Sequence, residues 1–147
     1  MIKGGRNMPE GYDRVAHLGF IQGAINRMAG NSFLCKGWAV TLFSALSAFV
    51  VSAEGSHVLC VPWLLAAAVL VFWWMDSWYL RMERLFRRLY DRVRLGDEAG
   101  NPYDMSFKPF MGEEQCVFRI MFSRSTLPVY SVMLVAALVL FFVRRGC

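Results

Sequence analysis

Four arginines, Arg81, Arg84, Arg88 and Arg92, recur three or four residues apart in the run MDSWYLRMERLFRRLYDRVR, residues 75–94. That spacing gathers them on one face of an α-helix. A guanidinium is planar, permanently charged and forked, so such a face suits the paired oxygens of phosphates. Trp78, Tyr79 and Tyr90 lie in the same run and offer rings on which a base could stack. Two ligand classes fit this chemistry. One is anionic lipid, attracted by about 1 kcal/mol per basic residue near a membrane surface. The other is a phosphate-rich molecule, a nucleotide or a short single-stranded oligonucleotide. Arg27 and Lys36 extend the basic set toward the N-terminus. Duplex DNA is not an expected partner, because the basic excess flanks apolar runs, as it does in the cytoplasmic segments of membrane proteins.

The remaining reactive residues offer less. Asp76 is a lone carboxylate at the end of an apolar run. Charges at membrane depth are costly and normally paired, so a structural ion pair outweighs a proton relay here. Arg81 reaches it imperfectly; Lys36 or Arg27 of another subunit are equal candidates. Glu83 and Arg87 stand four apart in the favourable order, which adds about 0.2–0.5 kcal/mol to a helix and makes no site. Cys35, Cys60, Cys116 and Cys147 form no CxxC pair, and His17 and His57 stand apart from them. They read as free thiols behaving as small hydrophobes, with no metal and no cofactor expected. Gly-rich phosphate loops, nucleophile elbows and HExxH are all missing, so no enzyme is expected.

The elements that must position these residues follow from composition. The chain is 56% hydrophobic and only 18% charged, with a net charge of +5. Residues 37–53, 55–75 and 125–143 contain no Asp, Glu, Lys or Arg. A membrane span needs roughly 20 apolar residues. The expected fold is therefore an all-α membrane protein forming one membrane domain over 1–147. Its parts are an amphipathic helix at 9–30, a first span at 33–53, a second at 58–78, a basic helix at 79–95, a loop at 96–124 and a third span at 126–143.

Finer expectations attach to each part. On the first helix, Leu18, Phe20, Ile21, Ile25, Met28 and Ala29 lie on one side, and His17, Gln22, Asn26 and Arg27 on the other. Gly19 and Gly23 permit close approach of a second backbone. Gly30–Asn31–Ser32 is expected to break the chain, with Asn31 or Ser32 capping the next helix. On the basic helix, Trp78, Met82, Leu85, Phe86, Leu89 and Val93 form an apolar stripe for assembly. Phe107, Phe110, Cys116, Val117, Phe118, Ile120 and Phe122 should pack the loop against the amphipathic helices. The hairpin Glu54–His57 lacks Lys and Arg, so charge bias places it outside and both outer flanks, with the N-terminus, in the cytoplasm of a bacterial inner membrane. The third span then ends outside with Arg144–Arg145, against that bias, which a short tail tolerates.

In the first span, Thr41, Ser44, Ala48 and Ser52 form a stripe of small and weakly polar residues. Helix packing, which favours small residues in membranes, is the weightier reading, and a pore lining is the other. Two or three helices enclose no pore, so conduction would require a closed homo-oligomer, a tetramer or larger.

Two stretches carry a resemblance. One runs from His17-Leu-Gly-Phe-Ile-Gln22 through Ile25-Asn-Arg-Met-Ala-Gly-Asn-Ser-Phe33 to Lys36-Gly-Trp38. The other runs from Asp76-Ser-Trp-Tyr-Leu-Arg-Met-Glu83 to Val93. Their order around a hairpin resembles SLATT-type two-span membrane effectors that accompany nucleotidyltransferases in phage defence. It looks closest to the membrane effector subunit of the Hailong system. The resemblance covers about residues 12–130 and rests on helical and compositional motifs; the third apolar run departs from the two-span pattern. It implies a homo-oligomeric ion channel that depolarises infected cells, with a gate controlled by a nucleotidyltransferase-derived nucleotide or single-stranded DNA oligomer. A structural or scaffolding membrane protein that binds anionic lipid or a partner protein is the alternative.

Overall fold

The computed structural model describes residues 11–52, 61–96, 103–112 and 114–146. The hairpin Glu54–His57, the turn at Gly100–Asn101–Pro102, and Cys60, His57 and Cys147 lie outside them. Within the described residues the chain is helical, with no strand. The order is α1 (Arg14–Ser52), α2 (Val61–Leu95), a 3-10 turn (Lys108–Phe110), α3 (Val117–Met121) and α4 (Leu127–Gly146). Three helices, α1, α2 and α4, are long and apolar enough to cross a membrane.

The first helix corrects the sequence reading in two places. It begins at Arg14, where Asp13 Oδ1 accepts the Val15 and Ala16 amides at 2.8 and 3.3 Å and so caps the first turn. It then runs unbroken for 39 residues through Gly30–Asn31–Ser32, where a break was expected. A helical glycine costs about 1 kcal/mol, and tertiary contacts outweigh that here. Ser32 caps nothing; its hydroxyl is engaged across the interface with α2.

In the polar half of the molecule, α1 and α2 pack along Ile21, Ala24, Ile25, Met82, Leu85, Phe86, Leu89 and Val93, and Phe110 from the connecting segment closes the cluster. The apolar stripe of α2 thus pairs with the N-terminal helix of the same chain. Trp78 departs from the stripe: it is 40% exposed and stacks on Trp74 at 6.1 Å. His17 and Phe20 exchange their expected roles. His17 is buried, held by the Tyr12 hydroxyl at 2.8 Å and the Asp104 carbonyl at 3.2 Å, whereas Phe20 is exposed beside the Tyr103 ring. Polar partners from the connecting segment draw the imidazole inward more than helix periodicity keeps it out. A side chain at Gly19 or Gly23 would meet nothing within 4 Å, so neither glycine serves close packing within one chain.

In the apolar half, α4 joins the pair. Ala39, Val69, Trp73, Tyr130 and Met133 form one cluster, and Val50, Leu65 and Ala137 another beyond it. Of the segment expected as a loop, the described residues 103–112 and 114–124 contain a 3-10 turn and the short helix α3. Gly96 (φ +75°) ends α2 in the left-handed conformation that glycine tolerates. Trp73 Nε1 donates to the Met121 carbonyl at 2.9 Å, and buried Thr126 donates to the Ile120 and Met121 carbonyls, tying α3 to the start of α4. Phe110 and Ile120 are buried as expected, whereas Phe118 and Phe122 are exposed. At the far end, Arg144 donates to the Val50 carbonyl in the last turn of α1. The cation there satisfies a helix-terminal carbonyl, and the C-terminus of α4 lies at the hairpin end of the bundle.

Candidate functional site

Two charged constellations stand out, and both are built around one carboxylate. The first sits where the apolar and polar halves meet. Asp76 is fully buried on α2. Lys36 Nζ, from α1, donates to Asp76 Oδ1 at 2.7 Å and also lies 2.7 Å from Oδ2. Oδ2 has no hydrogen bond of its own among the described residues and is balanced by that ammonium. Ser32, one turn before Lys36, donates to Oδ1 at 2.5 Å and accepts from Lys36 at 3.0 Å. Buried Tyr130, from α4, packs beside this cluster: its hydroxyl donates to the Phe72 carbonyl at 3.4 Å and its ring stacks on Trp73 at 5.8 Å. Side chains of α1 and α2 therefore meet at Asp76, with α4 packed alongside. Its partner is Lys36 of the same chain rather than Arg81 or a second subunit. A buried carboxylate is tolerable only with such company.

The second constellation is the arginine face of α2, which carries a cover. Phe110, Met111 and Glu114 lie along it. Arg92 lies over the Phe110 ring at 4.2 Å. Arg81 donates to the Met111 carbonyl at 3.2 Å, while its Nε is buried without a hydrogen-bond partner among the described residues. Arg88 Nε donates to Glu114 Oε2 at 2.8 Å, and Arg84 lies 3.9 Å from Oε1. The Glu114 side chain is only 7% exposed, against 37% for Arg84 and 43% for Arg88. The face holds one carboxylate, supplied by its own chain.

The structure brings Arg81, Arg84, Arg88 and Arg92 together as their spacing predicts. It sends Lys36 to Asp76 instead, which removes it from any shared anion surface. Arg27 projects from α1 as an exposed side chain. Glu83 pairs with Arg87 at 2.6 Å, as the spacing of the two predicts. Thr41, Ser44, Ala48 and Ser52 all face outward from the bundle. The hydroxyls of Thr41 and Ser52 bond back to the Gly37 and Ala48 carbonyls at 2.9 and 3.0 Å.

Sequence reasoning missed Glu114, Tyr130 and the role of Ser32. Ser32 had a usable signal, standing four residues before Lys36 so that both share a helix face. Glu114 had none, since its contact with Arg88 lies 26 residues along the chain and follows no helical spacing. Among the described residues no cluster of three His, Cys, Asp or Glu could hold a metal ion. No family model, curated protein or solved structure matches this chain.

Proposed function

We propose that this protein is a homo-oligomeric channel of the bacterial inner membrane, with its N-terminus and arginine face in the cytoplasm and an anionic ligand controlling its gate. The observation that carries the proposal is the outward stripe of Thr41, Ser44, Ala48 and Ser52 on α1. Both apolar clusters inside one copy are closed by large side chains such as Trp73, Tyr130 and Leu65. A polar path would therefore run between copies, along the small-residue stripe, in a closed ring. The cytoplasmic ligand is a nucleotide or a single-stranded oligonucleotide, read by Arg81, Arg84, Arg88 and Arg92. The resemblance to nucleotidyltransferase-associated effectors extends this to antiviral defence by membrane depolarisation.

A scaffolding role is favoured by one detail. The Thr41 and Ser52 hydroxyls are satisfied on their own backbone, so they need no pore water and suit a dry helix interface. Ion flux from liposomes holding the purified protein separates the two. A channel gives flux that Ser44→Leu abolishes while the assembly persists. Lack of flux from the wild type, with or without added nucleotide and oligonucleotide, would leave the scaffold.

A further inference from the structure

We infer that Glu114 is a built-in occupant of the anion seat formed by Arg84 and Arg88, and that a phosphate-bearing ligand binds this face by displacing the strap contacts of Phe110, Met111 and Glu114. The inference rests on the anionic-ligand reading above and adds how that site is regulated. Three contacts carry it. Phe110 packs under Arg92, the Met111 carbonyl meets Arg81, and the Glu114 carboxylate meets Arg84 and Arg88. One short segment thus covers the whole stripe and places its carboxylate on the middle two arginines.

The fit is incomplete in a way that favours exchange. One carboxylate oxygen is tight on Arg88 at 2.8 Å, while the other stands 3.9 Å from Arg84, beyond hydrogen-bond reach. A phosphate has a third oxygen and more charge, and so can bridge two guanidiniums that one carboxylate engages unequally. The strap itself is lightly held. Among the described residues, the Phe110, Met111 and Glu114 N–H groups donate only to carbonyls of the same segment, Phe107, Lys108 and Phe110, at 3.0, 3.1 and 3.2 Å. Phe110 is anchored in the polar-half core, so displacement would peel the Glu114 end first. Both arginines remain more than one-third exposed, so an anion in solution can reach them with the strap in place.

The test uses the full chain in neutral-lipid nanodiscs, with inorganic pyrophosphate as the probe. Glu114→Gln should bind pyrophosphate at least fivefold more tightly than the wild type. Glu83→Gln, which removes the same charge from the Arg87 pair, should leave the affinity within twofold. In the wild type, pyrophosphate should speed hydrogen exchange of the Met111 and Glu114 amides. Nanodiscs containing phosphatidylglycerol without pyrophosphate form the second arm; the same acceleration there identifies a lipid headgroup as the displacing phosphate. Equal affinity of wild type and Glu114→Gln, equal tightening by Glu83→Gln, or binding that leaves both amides protected overturns the strap mechanism alone. If neither protein responds to pyrophosphate or to anionic lipid, the ligand reading falls with it.

Discussion

Asp76 is sealed from solvent and held by Ser32 and Lys36 of a second long helix, whereas Glu114, itself 7% exposed, sits on two arginines of a single helix that are 37% and 43% exposed. Both are one carboxylate facing basic groups, yet their surroundings give them opposite mechanical characters. Removing one member of a buried pair leaves a charge without water or partner, at about 3–5 kcal/mol. A pair whose cations stay in water is screened on that side and contributes less, about 0–1 kcal/mol. The buried cluster therefore behaves as a permanent joint, and the strap contact as one that forms and releases within thermal reach.

The largest expected effect tests the joint. Asp76→Ala strands the Lys36 ammonium, which is 22% exposed, and should lower stability in detergent by about 3–5 kcal/mol. Pairing Asp76→Leu with Lys36→Met should restore most of it; a single variant as stable as the wild type would erase the contrast. Tyr130→Phe comes next. It removes one polar contact while leaving Ser32 and Lys36, and should cost about 1 kcal/mol in the same unfolding measurement. For the strap, Glu114→Ala should cost about 0.5–1 kcal/mol, since its arginines stay solvated. Raising salt from 0.05 to about 0.5 M shortens the screening length from over 10 Å to under 5 Å. It should loosen the strap, read by faster proteolysis between α2 and α3, and leave the Asp76 cluster intact. The smallest effect is expected at the Glu83–Arg87 pair, where Glu83→Gln should cost about 0.2–0.5 kcal/mol. A larger loss there would mean that exposed pairs on α2 contribute more than the comparison allows.

How much of this was legible in the sequence depended on periodicity. The charge-free runs marked the three long helices, and Met82, Leu85, Phe86, Leu89 and Val93 are buried as their spacing predicts. Trp78 broke the pattern because it lies beside Trp74 at the point where the helix changes from apolar to basic surroundings. The break expected at Gly30–Asn31–Ser32 weighed local propensity alone, while the bond from Ser32 to a residue 44 positions away made continuity the better solution. The arginine stripe was visible because it repeats; its cover was not, because segment 103–114 follows no repeat. Long-range pairings of single side chains leave no periodic trace, and both carboxylate sites are made of them.

The uninterrupted α1 gives the buried cluster a second meaning. At 39 residues the helix is about 58 Å long, nearly twice the thickness of a bilayer's hydrocarbon core. Ser32 and Lys36 fall near its middle, where α2 grips it through Asp76. The cluster is thus placed as a fulcrum and the two halves of α1 as arms of a lever. A tilt of about 10° about that point would carry each arm's tip by about 5 Å, in opposite directions. A disturbance as small as a strap lifting from α2 would then be felt at the other end of the helix by leverage, with no refolding in between.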